Sequence, residues 1–263
     1  MSFTVGGIIR EQAAARPDKV AIVFGERRIS YRELDERSNR AAQALLAAGV
    51  QPQDHVAFLD MNGPEYFEVL FGCAKVNAIC VGINWRLSPG EMAYTVNDAE
   101  AKVLVVGPDF QPAIEQVRGD LHAVRKVVNL GTEYESWLAA ATADDPRVRS
   151  GTDDVAIQLY TSGTTGLPKG AMITNFNLET LITRILPDWE LDSDSVNLVA
   201  SPLFNIAHGG WAPVGMRSRA PTALLRPATP PSPAPAIAQP RAPDPPRAPA
   251  HPPSRPPRPA LRA

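Results

Sequence analysis

Two cysteines, Cys73 and Cys80, are all this chain has. Their spacing does not suit a disulfide framework, and no further ligands stand near them to make a metal site. Both fall in runs that read as a buried helix and the strand after it, so they are expected as buried thiols. A basic start followed by a long apolar run is also missing. The opening "MSFTVGGIIREQAAARPDK" therefore gives no expectation of a signal peptide. The most apolar stretch, "VLFGCAKVNAICVGI", is broken by Lys75 and Asn77 and is too short to span a bilayer. These absences together predict a cytoplasmic protein with no transmembrane segment.

A basic stripe is lacking too, although the totals hide it. Of the 27 prolines, 16 lie in residues 217–263, together with eight arginines, a single acid (Asp244), no lysine and no aromatic residue. The remainder carries 18 basic and 27 acidic residues, a net charge of −9 against +7 for the tail. An acidic body argues against a nucleic-acid partner. Ordering backbone costs about 1–2 kcal/mol per residue, and such a tail has too little apolar area to offset it. Residues 217–263 are expected to be a disordered Pro/Arg/Ala-rich segment of polyproline character.

The body alternates strand and helix patterns. "KVAIVF" and "RRIS" flank the turn Gly25-Glu26 as a hairpin. Ser30 and Glu33 form a capping-box pattern for a helix that places Tyr31, Leu34, Ala41, Leu45 and Leu46 on one face and that Gly49 ends. Pro64 opens the next helix, and "SPGE" at 88–91 is a second capping box. "HVAFLD", "AICVGI", "KVLVV", "KVVNL" and "VAIQLY" are continuous apolar runs with helical stretches between them. That alternation predicts an α/β fold with mostly parallel sheets covered by helices.

After the last of these runs comes "LYTSGTTGLPKG", residues 159–170. Gly163 and Gly166 let the backbone approach a ligand closely and turn its N–H groups toward it. Thr161, Ser162, Thr164 and Thr165 supply hydroxyls, Lys169 a mobile positive charge, and Pro168 stiffens the approach. The set is suited to holding an oxyanion. A Walker loop would need Gly-Lys-Ser/Thr opening a helix, and the dinucleotide fingerprint a helix directly after its glycines; here Lys169 leads into a strand-like "GAMIT". A phosphate-holding loop between two strands is expected.

At these residues the chain resembles a known family. "YTSGTTGLPKG" is similar to the signature of the adenylate-forming superfamily, which includes acyl-CoA synthetases, luciferases and peptide-synthetase adenylation domains. "ERRISYRELDERSNRAAQALLAAGV", "AKVNAICVGINWRLSPGEMAYTVNDAEAKVLV" and "SPLFNIAHGGWAPVGM" extend the likeness. The wording is closest to fatty-acyl-CoA ligases. The resemblance implies a partial N-terminal domain over 1–216, reaching 226 if "TALLR" is included. It implies ATP and a carboxylic acid as substrates, Mg2+ as metal and coenzyme A as thiol co-substrate. Thr161, Ser162, Gly163, Thr164, Thr165, Gly166 and Lys169 would hold the ATP phosphates, with Thr161 a Mg2+ contact. Phe204, Asn205 and His208 would line an acyl pocket, although members often carry histidine where this chain has Asn205. The plainer reading of His208 is a loop histidine without function, and of Trp211 core or pocket wall.

The family's later equipment is not found after Met216: the Tyr-Gly-x-Thr-Glu segment, the ribose-gripping aspartate, and the C-terminal domain with its lysine. The chain alone is accordingly expected to be inactive or nearly so, with sheet edges uncovered. An amino-acid adenylation domain is the alternative enzyme. A non-enzymatic module that binds nucleotide phosphates, or a partner through its proline-rich tail, is the alternative outside enzymes. Proline, alanine and arginine all have GC-rich codons, so a frameshift near residues 217–227 is expected to have written the tail. Sequencing the gene tests this: another frame downstream should encode a Tyr-Gly-x-Thr-Glu segment, and the idea fails if neither does.

Overall fold

The structure is a computed structural model describing residues 3–161, 167–189, 192, 194–205 and 211–226. All of these belong to one compact unit. The segment 227–263, and with it most of the expected tail, lies outside the described residues.

Local chemistry sets the early elements. Thr4 accepts a hydrogen bond from the Gly7 amide and opens α1 (Val5–Ala15). The hairpin of β1 (Val20–Phe24) and β2 (Arg27–Ser30) turns at Gly25, whose φ is +58°. Ser30 then caps α2 (Tyr31–Ala47) by accepting from the Glu33 amide at 3.1 Å. Gly49 ends that helix with φ +83°. β3 (His55–Leu59) leads to α3 (Pro64–Lys75), which has its proline at the first turn. β4 (Ile79–Gly82) is followed by α4 (Pro89–Asp98), where Ser88 and Glu91 form a reciprocal capping box. β5 (Val103–Val106), α5 (Gln111–Gln116), β6 (Lys126–Asn129) and α6 (Thr132–Ala139) complete the first half. Then come β7 (Val155–Thr161), β8 (Lys169–Thr174), α7 (Asn175–Trp189), β9 (Asn197–Val199), α8 (Trp211–Arg217) and β10 (Thr222–Leu224).

The strands make two sheets. Six run in the order β6-β5-β3-β4-β7-β8, parallel except for the antiparallel β7–β8 pair. Four run β2-β1-β10-β9, with β1, β10 and β9 parallel. Alternate residues of the larger sheet enter different cores. Val56, Phe58, Cys80, Val103 and Val105 join α1, α2, α3 and the smaller sheet. Ala57, Leu59, Ile79, Val81, Leu104 and Val106 meet Met92, Ala93 and Val96 of α4 and Ile114 of α5. Both faces are dry, which is why these strands read as unbroken apolar runs. Cys73 and Cys80 are free, buried thiols.

Two features depart from the sequence expectations. The fold continues past Met216 into "TALLR", within the further bound of 226: β10 is inserted between β1 and β9, with Thr222 and Leu224 buried, so the start of the segment expected to be disordered from 217 contributes a central strand. A three-residue strand in a proline- and arginine-rich context is too short to show a period. The second is Lys75, which looked like a polar break in an apolar run but is fully buried. Its ammonium donates to the Asp35 carboxylate (2.6 Å) and backbone carbonyl, to Ser38 Oγ (2.8 Å) and to Asn39 Oδ1 (2.6 Å), all on α2. Burial lowers its pKa, opposed by Asp35. Glu68, also buried on α3, accepts both arms of Arg37 and the Tyr134 hydroxyl.

The α2–α3 crossing is close because Gly72 has no side chain: a Cβ there would stand 2.8 Å from the Ala41 Cβ. Gly72→Ala should therefore cost about 1–3 kcal/mol through overpacking. Removing one partner of a buried pair is costlier, and Lys75→Ala should lose about 3–5 kcal/mol. Urea titrations followed by circular dichroism check both values and their order.

Candidate functional site

The glycine- and threonine-rich segment joins two antiparallel strands. β7 and β8 are in register from Ile157↔Ile173 to Thr161↔Lys169, so the hydroxyl and the ammonium stand on the last rung before the loop. Both residues are exposed. Leu167, inside the loop, is 60% exposed. Ser162, Gly163, Thr164, Thr165 and Gly166 lie outside the described residues, as does His208.

Sheet geometry fixes which way this rung faces. Successive strand residues point to opposite faces. Leu159 enters the core shared with α3, Tyr160 packs toward the core under α4, and Thr161 returns to the α3 side with its partner Lys169. β7 is parallel to β4, and the loop leaves from the carboxyl end of β7, the side of a parallel sheet where ligands bind.

Phe204 and Asn205 arrive on the same side. A Cβ at Gly82 would stand 2.9 Å from the Phe204 Cα, so the backbone of this segment rests directly on the end of β4. Gly82 pairs in register with Leu159, two residues before Thr161. The segment therefore sits one strand, about 5 Å, across from β7. Phe204 is buried and Asn205 exposed. Asn62 ties the segment down: it donates to the Ser201 and Leu225 carbonyls (2.9 Å each) and accepts from the Leu203 amide (3.0 Å). Trp85, just beyond β4, meets Phe204 edge-on at 6.2 Å and Phe110 at 6.4 Å, with the Arg86 guanidinium 4.7 Å over its ring.

Sequence reasoning missed Asn62, Gly82 and Trp85. Only Trp85 left a trace, as the large aromatic directly after a buried strand. Nearby, burial raises the Asp60 carboxyl's pKa, offset by the Met61 amide and by Arg226, whose Nη2 lies 3.8 Å away. Among the described residues no group of three His, Cys, Asp or Glu could hold a metal ion, and no helix is long and apolar enough to cross a membrane.

The sequence profile of AMP-binding enzymes matches residues 9–239. This chain belongs to that family. Among its AMP-binding relatives, the fatty acid–[acyl-carrier-protein] ligase ScoC of Streptomyces coeruleorubidus is 34% identical over 205 residues, covering 76% of this chain and 39% of the relative. A feruloyl-CoA synthase from Amycolatopsis sp is 37% identical over 196 residues, covering 74% and 38%. This chain thus spans about two fifths of the length of either relative. The inhibitor-bound N-terminal domain of FACL13 from Mycobacterium tuberculosis superposes with a TM-score of 0.83 at 27% identity, covering 87% of this chain and 58% of that one. The α/β fold is that of the N-terminal domain of adenylate-forming enzymes.

The contact at Gly82 gives a prediction for this AMP-binding chain. Gly82→Ala forces Phe204 off the end of β4 and should cost about 1–3 kcal/mol. Near-ultraviolet circular dichroism should report a changed Trp85 environment while the far-ultraviolet spectrum stays constant.

Proposed function

We propose that this chain carries the phosphate-holding part of an ATP-dependent, acid-activating ligase. In this reaction a carboxylate oxygen attacks the α-phosphorus of ATP. The bond to the bridging oxygen breaks, and acyl-adenylate and pyrophosphate result. A thiol, of coenzyme A on this reading, then takes the acyl group and releases AMP. Negative charge grows on the departing pyrophosphate, and fixed donors around it lower the barrier. Lys169, Thr161 and the loop residues Ser162, Gly163, Thr164, Thr165 and Gly166 are assigned that role. The observation that carries the reading is the Thr161–Lys169 rung, open to solvent at the carboxyl edge of a mostly parallel sheet.

The Thr161 hydroxyl is an oxygen donor of the kind Mg2+ accepts. Mg2+ is usually held through one or two protein oxygens together with substrate phosphates, and Thr161 would be one such oxygen. Phe204, Asn205 and His208 are assigned to the acid's pocket. A fatty acid is the assigned substrate. Because one relative is named for ferulate and another for a fatty acid carried to a protein acceptor, aromatic acids belong in the same test.

Calorimetry with pyrophosphate and with MgATP tests the phosphate assignment. A charge-assisted contact contributes about 1.5–3 kcal/mol, so Lys169→Ala should weaken binding roughly 10- to 100-fold. Unchanged affinity in that variant would falsify the reading. ATP–pyrophosphate exchange with a panel of fatty and aromatic acids addresses the full reaction. From this chain alone exchange is expected to be weak or absent, and strong exchange abolished by Lys169→Ala would overturn that expectation.

A further inference from the structure

The two stems of the loop are both attached to one helix. Tyr160, one residue before Thr161, donates its hydroxyl to Asp98 Oδ2 at 2.6 Å. Pro168, one residue before Lys169, accepts from the Tyr94 hydroxyl at 3.5 Å. Tyr94 and Asp98 are four residues apart on α4 and so share a face of it. Within β7 itself, Gln158 donates from Nε2 to the same Tyr160 hydroxyl at 3.2 Å. Burial, and then Asp98, push the Tyr160 pKa well above its ordinary value, which keeps the phenol a donor.

Core packing does not require this arrangement. α4 already has its apolar stripe of Met92, Ala93 and Val96 against the sheet. Asp98 is exposed, and nothing about the burial of α4 calls for a carboxylate there. Gly170, opposite Tyr160, leaves room for these links: a Cβ there would run into the Gln158 amide and lie 3.1 Å from the Tyr160 ring. Because side chains alternate, a hold on Tyr160 from the α4 side fixes the strand whose next residue, Thr161, points to the other face.

We propose that α4 is a clamp on the phosphate loop: Asp98, acting through Tyr160, and Tyr94, acting through the Pro168 carbonyl, hold Thr161 and Lys169 in the register needed to grip phosphate. Asp98 and Tyr94 are positioning residues and touch no substrate. The positioning role rests on the function proposed above; the clamp itself does not.

Two measurements separate these claims. Backbone amide exchange at Thr161, Lys169 and Gly170 reads the clamp directly. Asp98→Ala and Tyr160→Phe should each speed exchange there about threefold to tenfold, while Asp98→Asn, which keeps an acceptor, restores most of the protection. Gly72→Ala serves as the control, since it destabilises the α2–α3 crossing and should not single out these amides. Equal exchange in Asp98→Ala and in the control overturns the clamp. Calorimetry with pyrophosphate reads the positioning: Asp98→Ala should weaken binding about threefold to tenfold, and Asp98→Asn far less. Faster exchange with unchanged affinity, in a protein whose Lys169→Ala variant does lose affinity, overturns the positioning role. If Lys169→Ala also binds as wild type, the phosphate-holding reading falls and the positioning role with it. The exchange data then decide the clamp alone.

Discussion

The interaction on which the rest of this structure depends is the crossing of α2 over α3. α3 is buried along almost its whole length, and it carries two charges inward. Each is met from α2: Lys75 by Asp35, Ser38 and Asn39, and Glu68 by Arg37, which also reaches Glu135 on α6. An unpaired buried charge costs several kcal/mol, so a shift of register that broke these contacts would be strongly disfavoured. Gly72 allows the close approach that brings the donors and acceptors together.

That register in turn positions the two sheets. Residues of α1, α2 and α3 share one core with alternate positions of the larger sheet and with Ile22, Val199 and Leu224 of the smaller. The carboxyl ends of β4 and β7 then lie side by side, in register at Gly82 and Leu159. The loop stems leave from one, and the Phe204 segment rests on the other. On the opposite face α4 fills the second core and reaches the loop stems through Tyr94 and Asp98. The site is thus held from both sides of one sheet.

Much of this was legible in the residues. The apolar runs became parallel strands because both faces are covered, and a strand buried on both faces leaves no polar alternation to confuse the reading. Ser30, Ser88 and Glu91 marked helix starts because capping depends on residues three apart, and Pro64 because its fixed φ and missing N–H suit a first turn. Lys75 was legible only as an interruption, because its partners lie 36–40 residues earlier in the chain. β10 was legible only through "TALLR" as an extension of the family resemblance, and not as a strand: its three residues acquire strand character from β1 and β9, which pair with them from other parts of the chain.

The sequence by itself determined the chemistry on offer: a loop of hydroxyls, glycines and one lysine between two strands, in the pattern of a family to which the chain belongs. Those features are local, and local spacing is what a linear sequence records. Only the tertiary structure decided that Thr161 and Lys169 share the last rung of a hairpin, that Phe204 sits one strand away on the end of β4, and that α4 holds the loop stems. The first is a matter of strand register within one hairpin, and the other two are contacts between elements far apart in the chain, whose distance in space linear spacing does not record.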